Sequence, residues 1–336
     1  MGVKLTGLLP KKELSFDDLK NKRIVVDFSN SIYQFISSIR QPDGTPLMDS
    51  QGRVTSHLMG IWTRFMNLIR KDVKLIIVLD GKAPILKIKE QEERAFRKEI
   101  AKEKFQQAKD EEDIEGMAKY AKQNLRVSKE MINESRELME AMGLPVIQAP
   151  SEADAQMSFI VERGDAWAAA TTDVDPLLHG CPRLVTNLTL SQKRRLPSGK
   201  VVNITPELIE LKEVLSNLGL NQDQLIALSI LVGTDYNEGI ERVGPKTALK
   251  LVKQHHDFET LFKEVKADFN WKQIYAVFKS MPIMKNYQLK WNELDVDKVK
   301  KILVDRHDFS EERVDSNLRK TEKKIDKAQK GLGDFF

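Results

Sequence analysis

Ile24-Val25-Val26-Asp27 and Leu75-Ile76-Ile77-Val78-Leu79-Asp80 are short apolar runs that each stop at an acid. An unbroken run of this kind, rich in β-branched residues, reads as a strand buried on both faces, the strand type of a parallel sheet. Pro145-Val146-Ile147 and Ala166 to Ala170 read as two further strands. Between the first two, Ile32 to Ile39 and Leu58 to Ile69 have helical spacing around a loop containing Pro42, Gly44 and Gly52, and the spacing predicts helices over 128–143 and 152–163. Strands alternating with helices predict an α/β fold with a central, mainly parallel sheet flanked by helices. After Ile204 the pattern is almost wholly helical, and there is no internal repeat.

A chain of 336 residues can bury a sizeable core. Lys and Arg total 54 against 50 Asp and Glu, a net charge of +4. The excess is small, so a basic surface for nucleic acid must be local, with the acids gathered elsewhere. Cys181 is the sole cysteine, which excludes an internal disulfide and a cysteine-rich zinc site, and suits a reducing, cytoplasmic setting. No apolar run approaches the roughly 18 residues of a membrane span, and no signal peptide is expected. From Lys82 to about Arg126 the chain is dense in Lys, Arg, Glu and Gln; it can bury little, so it is expected to project as a solvated helical excursion.

Acids stand where apolar sequence stops: Asp27, Asp80, the pair Glu152 and Asp154, the pair Asp173 and Asp175, and Asp235 in Leu231-Val232-Gly233-Thr234-Asp235-Tyr236. In a parallel α/β sheet the carboxyl ends of the strands share one edge, where ligands bind, so these acids are expected to converge. Converging carboxylates raise one another's pKa, and bound divalent cations remove the conflict. Oxygen donors without Cys or clustered His point to Mg²⁺ or Mn²⁺ rather than zinc. Any one acid could instead be a helix N-cap, and Asp175, just before Pro176, is expected to serve as one. Two other motifs fail: Pro245 separates the Gly and Lys that a P-loop needs, and Asp235 to Gly239 lacks a ligand of a calcium loop.

Gly239-Ile240-Glu241-Arg242-Val243-Gly244-Pro245-Lys246-Thr247-Ala248 joins two apolar helices. A tight turn feeding a helix N-terminus offers backbone N–H groups to a phosphate, with Lys246 adding charge, and the same stretch reads equally well as an ordinary helix–turn–helix packing element. The chain closes on Gln329-Lys330-Gly331-Leu332-Gly333-Asp334-Phe335-Phe336, where one turn would put Leu332, Phe335 and Phe336 on one side, ready to fill an apolar pocket in a partner; the alternative is an end that folds back on the body.

Taken together these stretches resemble the flap endonuclease family, nearly end to end. The resemblance is carried by Val26-Asp27-Phe28-Ser29-Asn30-Ser31-Ile32-Tyr33-Gln34-Phe35, Leu79-Asp80-Gly81-Lys82, Ala149-Pro150-Ser151-Glu152-Ala153-Asp154-Ala155-Gln156, Leu231 to Gly239 and the terminal tag. It implies a PIN-like 5′ nuclease fold: one nuclease domain over 1–320, with an N-terminal region to about 100, a helical arch over about 82–126, an internal nuclease region over about 127–255 with a helix–hairpin–helix at 239–255, and a tail over 321–336. It implies a monomer that cuts branched DNA carrying a single-stranded 5′ flap, with 5′→3′ exonuclease activity, in replication and repair. Asp27, Asp80, Glu152 and Asp154 match the acids around one metal, and Asp173, Asp175 and Asp235 those around a second, two Mg²⁺ with Mn²⁺ as a substitute. Lys87 and Arg94 match catalytic cations of the arch; at a separation of two helical turns they would share a face. Tyr33 matches an aromatic on which an unpaired base stacks. Gly239, Arg242, Gly244, Lys246 and Thr247 match the hairpin that grips the duplex, which also holds K⁺. Gln329, Leu332, Phe335 and Phe336 match a motif for a ring-shaped sliding clamp.

The chain departs from the family pattern in places. Phe28 replaces a small residue and Asp154 a Glu. Val174 and Pro176 interrupt the usual stretch around Asp173. Arg242 stands where Gly is usual, a position at which φ > 0 costs a side-chain-bearing residue. A 5′→3′ exonuclease or bubble nuclease on the same core is the nearest alternative reading; a clamp-bound junction binder without catalysis is disfavoured, because clustered negative charge opposes phosphate binding.

Overall fold

The computed structural model describes residues 5, 7–41, 43–87, 100, 104, 127–190, 193–195, 200–255 and 257–321. Its strands are β1 (Lys12–Glu13), β2 (Arg23–Asp27), β3 (Lys74–Leu79), β4 (Val146–Gln148), β5 (Ala168–Ala170), β6 (Arg183–Thr186), β7 (Lys193–Arg195), β8 (Val201–Asn203) and β9 (Glu207–Glu210). Seven of them make one sheet in the order β1-β9-β6-β5-β2-β3-β4. The run from β6 to β4 is parallel throughout, and β9 and β1 add an antiparallel edge. In register, Asp27 faces Val78, Val26 faces Ala170 and Leu79 faces Gln148, so the carboxyl ends of β2, β3, β4 and β5 finish together.

The apolar runs are unbroken because both faces of the sheet are covered. Val25, Ile76, Val78, Ile147, Ala169 and Leu184 pack into one apolar cluster, and Ile24, Val26, Leu75, Ile77, Ala168 and Val185 into a second. Alternate residues of one strand feed opposite layers. Each buried Val, Ile or Leu contributes roughly 1.5–3 kcal/mol relative to exposure, which fixes the register, since a slip of one residue exchanges the two sets. The helix Ala153–Glu162 lies against β2, β3 and β5. On the other face, helix Phe28–Ser38 meets a helical run formed by Ser56–Gly60, a π-turn at Ile61–Phe65 and Met66–Ile69. There a Cβ on Gly60 would lie 2.3 Å from the Phe35 ring, so the crossing requires glycine.

The four strands expected from sequence are present, β5 shorter than its apolar run, and the helices at 128–143 and 152–163 form as Lys129–Ala141 and Ala153–Glu162. The expectation of an almost wholly helical chain after Ile204 is corrected by β9, which pairs with both β6 and β1. Its apolar residues, Leu208 and Ile209, are adjacent, and two adjacent apolar residues carry neither period. Asp175 is likewise not an N-cap: it is the first residue of the helix Asp175–Leu178, with Val174 in the cap position and no side-chain capping bond. Val174 is already turned (φ −102°, ψ −1°), so the helix starts one residue before Pro176, which needs no N–H in a first turn. Lys87 closes a 3₁₀ turn, Ile85–Lys87, just after Pro84. Arg94, most of the arch, and Gln329, Leu332, Phe335 and Phe336 lie outside the described residues.

Candidate active site

The parallel strands deliver their acids to one edge. Asp27 is the last residue of β2 and caps the helix that follows, accepting from Asn30 N at 3.0 Å and from Thr171 Oγ1 at 3.1 Å. Asp80 follows β3 and accepts from Ala153 N at 2.6 Å, at the start of the helix after β4. Glu152 and Asp154 sit at that same helix start. Asp173 and Asp175 follow β5, with Asp173 Oδ1 accepting from Val174 N at 2.8 Å. Asp235 comes from elsewhere. It rides a turn after the helix Gln222–Val232, pinched by a bridge between Thr234 and Asn237.

These seven acids act on one another. Burial pushes the Asp27 carboxyl up to about 7, with the charges of Asp80 and Asp173 adding to it. Burial also raises Asp154 well above the usual carboxylate range, with contributions from Asp27, Asp173, Asp175 and Glu152. Asp173 is raised by burial and by the charge of Asp235. Desolvation and like charge thus work together, an arrangement typical of sites that bind or transform something.

Lys87 partly offsets this. Its ammonium bonds Glu152 Oε1 and lies 2.9 Å from Asp235 Oδ2. Burial alone would lower its pKa, but those two carboxylates hold it well above the usual lysine range, so it stays charged. Among the described residues no three His, Cys, Asp or Glu side chains stand closed around a metal-sized gap. The donor set nevertheless suits a hard cation: it is all oxygen, and Asp154 Oδ1 is buried without a hydrogen-bond partner.

Of the other residues singled out from sequence, Tyr33 is 44% exposed on the helix Phe28–Ser38. The turn at 239–244 leads into the helix Pro245–Gln254, with Pro245 at its first position and Arg242, Gly244, Lys246 and Thr247 exposed. Arg242 does adopt the left-handed backbone that glycine favours, with φ +64°. At Gly239 (φ +84°) a Cβ would stand 2.5 Å from the Val232 backbone, so that residue must be glycine.

Sequence reasoning missed three supporting groups. Asn30 exchanges hydrogen bonds with Thr172, Thr171 holds Asp27, and the Tyr236 hydroxyl bonds Glu152 Oε2. Burial, then the charge of Glu152, raises the Tyr236 pKa, so the phenol keeps its proton. Asn30 and Tyr236 both lie inside the motif stretches quoted above, which was the available signal. Behind them His179 is half-buried, its Nδ1 3.1 Å from Phe278 O, and desolvation pushes its pKa down to about 4.

Comparison with known proteins supplies independent findings. The XPG N-terminal domain matches residues 1–101 and the XPG I-region matches residues 143–235. Flap endonuclease 1 of Staphylothermus marinus is 44% identical, with 100% of each chain aligned. The enzyme of the same name from Pyrococcus furiosus is 45% identical over 97% of this chain and 96% of its own. Among solved structures, a flap endonuclease-1 from Methanococcus jannaschii superposes with a TM-score of 0.77 at 37% identity, covering 97% of this chain and 100% of that one. The catalytic core of Rad2 in complex with DNA substrate shares the fold, with a TM-score of 0.69 at 21% identity over 95% of this chain and 100% of its own.

Proposed function

The chain belongs to the flap endonuclease family, and from that premise we propose how its residues cut DNA. It is a structure-specific DNA nuclease that hydrolyses phosphodiesters of branched DNA bearing a 5′ flap. The observation that carries the residue assignment is the convergence of the strand-end acids, with Lys87 held among them.

Asp27, Asp80, Glu152 and Asp154 would hold one divalent cation, and Asp173, Asp175 and Asp235 a second, Mg²⁺ with Mn²⁺ as a substitute. Such ions supply a nucleophile at neutral pH and charge to balance the leaving oxygen. The chain's own groups do the rest. Asp27 and Asp80 are aimed by Asn30 N, Thr171 and Ala153 N, which keeps the cluster preorganised. Lys87, permanently protonated, offers its ammonium to the scissile phosphate, and Arg94 is assigned the same role. Tyr33 gives an exposed ring on which an unpaired base can stack. The turn from Gly239 to Thr247, with Arg242, Gly244 and Lys246, grips the duplex backbone without reading sequence, and K⁺ is assigned to it. Residues 1–320 form the nuclease domain of a monomer working in the cytoplasm, and Gln329, Leu332, Phe335 and Phe336 in the tail engage a ring-shaped sliding clamp. Among the described residues no helix is long and apolar enough to cross a membrane.

The test compares a double flap, a nicked duplex and a bubble as substrates over a Mg²⁺ titration. Cleavage should be fastest on the double flap and should stop in chelator. Preference for the bubble or the nicked duplex would move the assignment to the neighbouring nuclease types.

A further inference from the structure

Glu152 stands in the N-cap position of the helix Ala153–Glu162, where an acidic side chain is free to turn back onto the helix's own amides. It makes no such bond. Asp80, from the neighbouring strand end, takes the Ala153 amide instead, at 2.6 Å. Glu152 is thereby released to face the acid cluster, and both its oxygens are engaged there: Oε1 by Lys87, Oε2 by the hydroxyl of Tyr236.

Tyr236 is itself held from several directions. Its N–H donates to Thr234 Oγ1 at 3.0 Å, and Thr234 Oγ1 in turn bonds Asn237 Oδ1 at 2.8 Å. The turn cannot relax easily: a Cβ on Gly233 (φ +111°) would lie 2.8 Å from Glu238 O. The Tyr236 ring meets the edge of Phe278 with centroids 5.5 Å apart, and Phe278 is fixed by His179, whose Nδ1 lies 3.1 Å from its carbonyl and whose ring is 5.3 Å away. One pinned turn therefore delivers Asp235 and, next to it, the phenol that orients Glu152.

We propose that Tyr236 is a positioning residue: its phenol, donating to Glu152 Oε2, fixes that carboxylate in the orientation in which it takes part in binding a divalent cation. The proposal rests on the nuclease reading above. A hydrogen bond from a neutral donor to a buried carboxylate is of the stronger, charge-assisted kind. Outer partners that orient metal-binding groups commonly change metal affinity or activity by 10–100-fold when removed, roughly the scale anticipated here.

The experiment uses Tyr236→Phe, which keeps the ring on Phe278 and removes only the hydroxyl. Mn²⁺ binding to the full-length, DNA-free protein is measured by calorimetry, alongside flap cleavage at limiting and saturating Mn²⁺. Mn²⁺ affinity should fall by about tenfold, and cleavage should slow at limiting Mn²⁺ and recover towards wild type at saturation. In a Glu152→Gln background the same substitution should cost little more, because its effect runs through that carboxylate. Wild-type Mn²⁺ affinity in Tyr236→Phe, or an equal loss with and without Glu152, would overturn the proposal. A wild type that neither binds Mn²⁺ nor cuts flaps would overturn the nuclease reading and this proposal together, so the two failures are distinguishable.

Discussion

Two clusters of enclosed ionisable groups in this molecule have opposite electrostatics. At the strand ends, burial and neighbouring acids push Asp27 up to about 7 and raise Asp154 and Asp173. In the other cluster, His307 sits fully enclosed between Asp49 Oδ2 at 2.9 Å and Glu134 Oε1 at 3.3 Å, with Arg53 Nε 2.7 Å from Asp49. There burial also pushes Asp49 up, but hydrogen bonds from His307 and Arg53 outweigh it and hold the carboxyl at about 2. This clasp ties the turn around Asp49 to the helix Lys129–Ala141 and to the end of the helical run at 296–305, where Arg306 also meets Glu137 at 2.7 Å. Charge provided with internal partners holds chain segments together; charge left in excess is what the proposed function assigns to cations.

That contrast can be broken most forcefully at Asp173. Asp173→Asn should slow flap cleavage on the order of a thousandfold or more, several kcal/mol of barrier, while metal-free stability holds or rises because one repelling charge is gone. Near-normal cleavage would remove the functional half of the comparison. Lys87→Ala should act on both sides of it. Single-turnover cleavage should fall by about a hundredfold with a much smaller loss of DNA affinity, and the metal-free protein should melt earlier because Glu152 and Asp235 lose their cation. Equal losses in rate and DNA affinity would make Lys87 a general phosphate contact.

Asp49→Asn should behave in the opposite way. Removing the charge leaves His307 and Arg53 without their shared acceptor, costing about 2–3 kcal/mol of stability, with the cleavage step nearly unchanged. The pH dependence has a definite sign. A carboxyl depressed from 3.8 to about 2 gives stability that is fully present above pH 3.8 and lost as pH falls through 2. Acid melts of wild type should steepen across that window, and those of Asp49→Asn should lack that component; identical acid slopes would dissolve the clasp. The smallest effect is at Arg242, which belongs to neither cluster. With φ +64° and an exposed side chain, Arg242→Gly should gain about 0.5–1 kcal/mol of stability and reduce the salt slope of duplex binding by about one. No change in either quantity would free that turn from DNA.

Sequence made one side of this comparison more legible than the other. The strands carrying Asp27 and Asp80 announce themselves because a strand covered on both faces must be apolar without interruption, so an acid at its end is conspicuous. Arg242 was legible only through the resemblance, as a side chain where the family's hairpin usually has Gly, and its φ of +64° is the backbone that glycine favours. The strands β6 and β9 were not: each sets two apolar residues between polar or charged ones, and its pairing is fixed by distant neighbours. The clasp was invisible for the same reason: Asp49, Glu134 and His307 meet only through the tertiary fold, and none stands in a motif. Tyr236 was visible as a letter of a motif, but its role depends on where Glu152 points.

Thermal melting in Mn²⁺ and in chelator, on wild type, Asp49→Asn and Asp173→Asn, tests the central claim most directly. At about a hundred times the dissociation constant, binding to the folded state alone stabilises by roughly 2.7 kcal/mol. Mn²⁺ should therefore raise the melting temperature of wild type and of Asp49→Asn by similar amounts, and that of Asp173→Asn far less. An equal rise in all three proteins, or no rise in wild type while flaps are still cut in chelator, would contradict the assignment of the strand-end acids as the cation site.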